Sequence, residues 1–256
     1  MNVVVKYDPA GRMGNRMFQY SFGYILSKLK GCNFYHESIP NFGIDDNMHD
    51  VSDLNNAINT RQYGDQYADM DMLVNHKGDI VIDSYLQQSR FYIDYRDELR
   101  SLFKIKDLLI NKDKLILHIR ETDYVIINAF LGYDYYKKLI SDSGYKDVVI
   151  VTDNSKSDTV QKLIKEYDCT LSTEGIVDTF SVHSDSRAIE DFKALLYSEN
   201  IAISQSSFSW WAAFLGNHKN IIFPYKKGLD WWPVEPEKDD IDLYFDLDNV
   251  TCKYIR

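Results

Sequence analysis

The chain has 256 residues, enough for one large domain or two small ones with a substantial core. Its 29 basic against 39 acidic residues give a net charge of −10, which argues against the basic face that a nucleic-acid backbone requires. Hydrophobic content of 45% with 27% charged residues argues against wholesale disorder, and no run of about 18 apolar residues spans a membrane.

In chain order, "NVVVKY" (Asn2–Tyr7) is a short β-branched run that predicts a buried parallel strand. The opening lacks the basic start and long apolar stretch of a secretion signal, so a cytoplasmic location is expected. "GRMGN" follows. Then Arg16–Lys30 predicts a helix, with Met17, Phe18, Phe22, Ile25, Leu26 and Leu29 at helical spacing. Strand, glycine loop and helix open a Rossmann-like unit. Ile39–Lys77 is polar and irregular. Asp79–Tyr85 predicts a further strand, and Tyr92–Lys106 a helix leaving it.

A second series begins with a strand at Lys114–Arg120. It continues with a helix at Gly132–Gly144, a strand at Asp147–Asn154 and an aspartate-capped helix at Asp158–Tyr167. A helix at Ala188–Glu199, a strand at Asn200–Gln205, a helix at Ser209–Asn217 and a strand at Asn220–Tyr225 complete it. The alternation predicts an α/β fold of two Rossmann-like domains facing a cleft. The expected division is 1–110, 111–235 and a tail, 236–256, packing back on the N-terminal domain. The three cysteines, Cys32, Cys169 and Cys252, are far apart without metal-ligand spacing and read as free thiols in a reducing compartment.

Three motifs carry chemistry. In "HIRETD", His118 and Arg120 share a strand face and Asp123 lies just past the carboxyl edge, where open α/β sheets bind ligands. A guanidinium there can grip a phosphate pair, although spacing alone equally fits a surface salt bridge beside a core histidine. In "GRMGNRMFQY", Gly11 and Gly14 permit a tight turn and Asn15 can cap the next helix. The three-glycine dinucleotide fingerprint is not present. In "SQSSFSWWAAFLG", Ser206, Ser207 and Ser209 fall between a strand end and a helix N-terminus, a ready anion site. Trp210, Trp211, Phe214 and Leu215 face the core. A serine-capped helix without a ligand fits the same residues. The triplets Asp69-Met-Asp71, Asp240-Ile-Asp242 and Asp246-Leu-Asp248 follow no clear buried strand, so no metal site is expected.

Together these strings resemble the α-1,2-fucosyltransferases, glycosyltransferase family eleven. "GRMGNRMFQYSFGYIL" is similar to the family's "GGLGNQxFQYAFGRAL" and "HIRETDY" to its "HxRRGDY". "VVIVTDN" is similar to a strand ending in Ser/Thr-Asp-Asp, and "SSFSWWAAFLG" to "SSFSWWAAWL". The matching order covers roughly Val3 to Trp232. The resemblance implies a GT-B architecture in which an inverting transferase moves L-fucose from GDP-fucose to a glycan hydroxyl, galactose O2 in an α-1,2 linkage. It implies no cofactor and no metal, the GDP-sugar being a substrate, and a peripheral membrane position where the acceptor glycan is lipid-linked. A different nucleotide-activated sugar, or a degenerate nucleotide-sugar-binding protein, is the alternative.

By the same resemblance, His118 and Asp191 meet the guanine, Arg120 the diphosphate, and Ser206 and Ser207 the phosphates, with Asp153, Phe208 and Ser209 on the donor side. Gly14, Asn15 and Gln19 form the acceptor-side loop, and Arg120, Asp123 and Asn15 are the catalytic candidates, Asp123 as base. Glu121 stands where the family has a second arginine, and Thr122 where it has glycine. Strand alternation sets Glu121 opposite His118 and Arg120, so a lysine or solvent partner is expected for it.

Overall fold

The computed structural model describes residues 1–7, 11–48, 54–64, 68–126, 129–172, 186–224 and 242–255. The chain divides into two compact units: Met1–Lys104 with Glu235–Leu243, and Ile105–Val234 with Tyr244–Arg256.

The first unit has a four-stranded sheet of β1 (Asn2–Val5), β2 (Asn33–His36), β3 (Ile58–Asn59) and β4 (Ile80–Ile82) in the order β2-β1-β4-β3. Every pairing is parallel, and the buried Val3–Val5 and Ile80–Ile82 read as the unbroken apolar runs of strands covered on both faces. Helix α1 (Met13–Lys30) buries Met17, Phe18, Phe22, Ile25 and Leu26, while Leu29, expected in the same stripe, is 47% exposed. The helix lies so close to the sheet that a Cβ on Gly23 would sit 2.4 Å from Val5 and 2.8 Å from Phe34. That contact explains a glycine in the helix interior. Gly31 ends α1 in the left-handed region at φ 64°, its N–H reaching back to the Lys28 carbonyl. Two further helices, α2 (Met70–Asn75) and α3 (Arg96–Leu102), complete the unit; α3 is shorter than the helix expected over Tyr92–Lys106 because 3₁₀ turns precede it.

The second unit has six parallel strands: β5 (Asn111–Ile119), β6 (Val148–Thr152), β7 (Thr170–Leu171), β8 (Ser198–Ala202), β9 (Asn220–Pro224) and β10 (Thr251–Ile255), ordered β10-β9-β8-β5-β6-β7. Leu115, Leu117 and Ile119 face a core shared with Tyr136, Leu139 and Ile140 of α5 (Tyr133–Ser143) and with Val160 and Leu163 of α6 (Asp158–Tyr167). Alternation therefore turns His118 to the opposite face, toward α7 (Ser186–Leu196) and α8 (Ser207–Leu215). Ser157, rather than an aspartate, caps α6, its hydroxyl oxygen accepting from the Val160 N–H at 3.2 Å.

Residues 251–255 correct the expected tail. They form β10 against β9 in the second sheet, and Phe245 packs on Trp210, Phe214 and Phe223 in the same unit. The outer edge of an apolar strand, β9, offers unpaired amides and carbonyls that a further strand satisfies. Within the first unit, Asp242 pairs with Gln88. Among the described residues no helix is long and apolar enough to cross a membrane.

Candidate nucleotide site

In the second sheet the chain runs from β5 toward β6 and β7 on one side, and from β8 toward β9 and β10 on the other. The strand order reverses between β5 and β8, and the crevice outside their carboxyl ends is where such sheets take ligands. His118 near the end of β5 and Ser204 just past β8 meet across this point, with Ser204 Oγ 2.8 Å from His118 Nδ1. The ring lies 5.6 Å from Phe208, which in turn packs edge-on to Phe192. Burial pushes the His118 imidazole down to about 4, against the opposing pull of Asp153, so the ring is neutral at pH 7.

Strand β5 ends at Ile119, and Arg120 begins the turn into the short helix α4 (Thr122–Ile126). Its guanidinium reaches two carboxylates, Asp123 at 2.8 Å and Asp153 at 3.1 Å, and lies over the Tyr124 ring at 5.6 Å. Asp153 is buried and accepts further bonds from the Glu121 N–H at 3.0 Å and the Thr122 hydroxyl at 2.6 Å. Its contacts orient Arg120 and the turn from within. Tyr124, absent from the sequence reading, shares a hydrogen bond with Ser206 and so ties this turn to the serine loop.

The serine loop folds sharply: the Ser206 N–H donates to the Ser204 carbonyl at 2.8 Å, and Ser206 then takes the N-cap position of α8. Ser207 opens the helix and is half-buried. Ser209 is fully buried and donates to the Ser204 and Ser206 carbonyls at 3.4 and 3.2 Å, so it braces the corner and is not open to a donor. Trp210, Trp211, Phe214 and Leu215 are all fully buried. Asp191 on α7 is buried and ion-paired with Arg187 at 3.7 Å, and Arg187 also reaches the Thr152 carbonyl. Sequence reasoning missed Gln205. It sits at the apex of the corner, 4% exposed, with neither carboxamide atom hydrogen-bonded. A polar residue between two serines at a strand end gives no pattern that would single it out.

Glu121 departs from its expected partner. With β5 finished at Ile119, strand alternation no longer governs it. Its carboxylate shares a hydrogen bond with Ser157, and its Oε2 is buried with no hydrogen-bond partner. Burial pushes its carboxyl up; the Ser157 bond opposes this, and Asp153 and Asp158 add to it. A carboxyl raised by folding supports the fold below its unfolded range and loses that support as pH rises through its folded range. At pH 7.5 the ionised group therefore destabilises. Glu121→Gln is expected to raise Tm by about 2–4 °C, roughly the effect of relieving one partly buried unsatisfied acceptor. Melting curves at pH 7.5 and pH 4 check this, since the gain should vanish at the lower value.

In the first unit the corresponding edge lies at β1 and β4. Asn15 Oδ1 accepts from Gln87 Nε2 at 2.9 Å, Gln19 is fully buried and donates to the Lys6 carbonyl at 3.3 Å, and Gly14 is buried in the first turn of α1. Asn15 lies inside α1 and is not its cap; the N-cap position is Arg12. Of the acidic triplets, Asp69 caps α2 through the Met72 N–H at 2.9 Å, and Asp246 accepts from the Tyr244 hydroxyl. Asp240 lies outside the described residues.

No protein-family model matches this sequence, and no curated protein does. Among solved structures, an Arabidopsis thaliana FUT1 variant in complex with GDP is similar, with a TM-score of 0.50 at 10% identity over 88% of this chain and 70% of that one. The two share one α/β fold. The α-1,6-fucosyltransferase NodZ soaked with GDP-fucose gives a TM-score of 0.49 at 11% identity, over 84% and 92% of the two chains. POFUT1 in complex with GDP gives 0.47 at 11% identity, over 87% and 98%. The motifs' likeness to family eleven is one of short strings.

Proposed function

We propose that the chain is an inverting glycosyltransferase that moves L-fucose from GDP-fucose to a glycan hydroxyl, galactose O2 in an α-1,2 linkage. The observation that carries this is the His118–Ser204 bridge at the strand-order reversal, with the N-terminus of α8 directly behind it. A neutral histidine, an aromatic ring and the start of a helix at a carboxyl edge suit a base and a diphosphate. The fold shared with a GDP-bound protein, FUT1, adds support.

In this reading the α8 amides, Ser206 and Ser207 hold the phosphates, and Arg120 stabilises charge developing on the leaving diphosphate. Asp123 and the diphosphate compete for the same guanidinium, so donor binding frees Asp123 to take the proton of the attacking hydroxyl. Asn15, held by Gln87, belongs with Gly14 and Gln19 to the acceptor side. A second reading, binding without turnover, is favoured by Glu121: with Asp123 and Asp153 it sets three carboxylates around one guanidinium turn.

The test is GDP release and product mass with GDP-fucose and a galactoside, against GDP-mannose and UDP-galactose. Fucosylated product with GDP-fucose alone supports the first reading; tight GDP binding with no turnover on any donor supports the second. Transfer is expected to continue in EDTA, because Arg120 and the helix amides supply the positive field. Loss with chelator and recovery with manganese would move the diphosphate to a metal.

A further inference from the structure

The carboxyl edge of the first sheet holds a second polar cluster that the nucleotide site leaves unused. Tyr7 follows β1 and is 6% exposed, and its hydroxyl has no hydrogen-bond partner. Gln19 on α1 gives its amide nitrogen to the Lys6 carbonyl, which accepts only from a donor and thereby fixes the carboxamide's orientation. Its oxygen, Oε1, is then buried and unpaired. One vacant donor and one vacant acceptor thus sit on adjoining segments, where buried polar atoms of native folds are ordinarily paired.

The surroundings give the cluster its selectivity. The Arg16 guanidinium lies over the Tyr7 ring at 5.2 Å, with its Nε directed to the Gly11 carbonyl. Tyr20 meets His36 edge-on at 4.8 Å. Tyr20, Glu37 and Asp46 lie close enough to act on the Tyr7 hydroxyl, and with burial they push its phenol up, Arg16 opposing, so Tyr7 stays a donor. Burial holds His36 below the usual imidazole range, so it adds no charge near neutral pH. Of the charged groups that act on the Tyr7 hydroxyl, Arg16 is the cation, and half-buried Glu37 and exposed Asp46 are the carboxylates.

We propose that Tyr7 and Gln19 bind the acceptor as an uncharged sugar, Tyr7 donating to one hydroxyl and Gln19 accepting from another, while Glu37 and Asp46 repel anionic sugars. This rests on the glycosyltransferase reading and names the residues that select its acceptor.

The test titrates GDP, methyl β-galactoside and methyl β-galacturonoside into wild type, Tyr7→Phe and a Glu37→Gln/Asp46→Asn double variant. Wild type is expected to bind the galactoside and to bind the galacturonoside at least tenfold more weakly. Tyr7→Phe should keep GDP affinity and melt no lower than wild type, since the hydroxyl has no internal partner, yet bind the galactoside about three- to tenfold more weakly. The double variant should narrow the gap between the two sugars. Unchanged galactoside binding in Tyr7→Phe, a marked fall in its Tm, or a wild type that binds GDP but neither sugar overturns the inference. Failure to bind GDP instead sinks the donor assignment, whatever Tyr7 does.

Discussion

Arg120→Ala is expected to lower the transfer rate about 30- to 1000-fold, the loss of about 2–4 kcal/mol of charge stabilisation at the leaving group. The geometry adds a second consequence. Arg120 balances Asp153, which is buried, and Asp123, so truncation leaves the Asp153 carboxylate with only an amide and a hydroxyl. A fold loss of about 1–3 kcal/mol should accompany the kinetic one. Arg120→Lys separates the two effects: the charge remains near both carboxylates and recovers much of the stability. Its single ammonium lacks the planar fork and should recover little of the rate. Single-turnover rates on folded protein, with melting curves on the same samples, give both quantities. A rate within threefold of wild type for the alanine variant rejects the role.

The apolar runs and helical periodicities made the fold legible. NVVV, LILHI, VVIVT and NIIFP could only be strands buried on both faces, and their spacing around amphipathic helices fixed a parallel α/β architecture. His118 and the serine loop were legible for the same reason, since each lies at the end of such a run. The rest depended on contacts distant in sequence. Asp153 stands 33 positions from Arg120; the resemblance puts it on the donor side, but only the β5–β6 pairing sets it against the guanidinium. Glu121 was misjudged because alternation was extended two residues beyond the strand's end. The final strand was missed because TCKYI, although it holds the strand formers Thr, Tyr and Ile, lacks an unbroken apolar run, and its place comes from the open edge of β9. Tyr7 and Gln205 were invisible in the sequence, because a missing hydrogen bond has no sequence signature.

Trp210→Ala is expected to lower stability by about 3–5 kcal/mol, a Tm drop of about 10 °C or more for a chain of this size. The indole is fully buried, stacked on Phe214 at 4.8 Å and 12°, and edge-on to Trp211 at 5.0 Å and Phe245 at 5.5 Å. Deleting it opens a cavity that three rigid rings cannot collapse into. Alanine keeps the backbone N–H that makes the first helical bond of α8, to the Ser206 carbonyl at 2.9 Å. Loss of the indole that packs this first turn into the core should still loosen the helix start and weaken GDP binding along with the fold. Trp210→Phe keeps a stacking partner for Phe214 and should recover over half of the stability. Ser207→Ala supplies the contrast: on a half-buried hydroxyl at the helix start, it should leave Tm within about 2 °C and weaken GDP binding about three- to tenfold. Hydroxyls that serve the ligand and aromatics that serve the core predict opposite outcomes for the two substitutions. Calorimetric titration of GDP beside thermal melts of each variant reads both, and a Ser207→Ala protein that melts early yet binds GDP normally would dissolve the division.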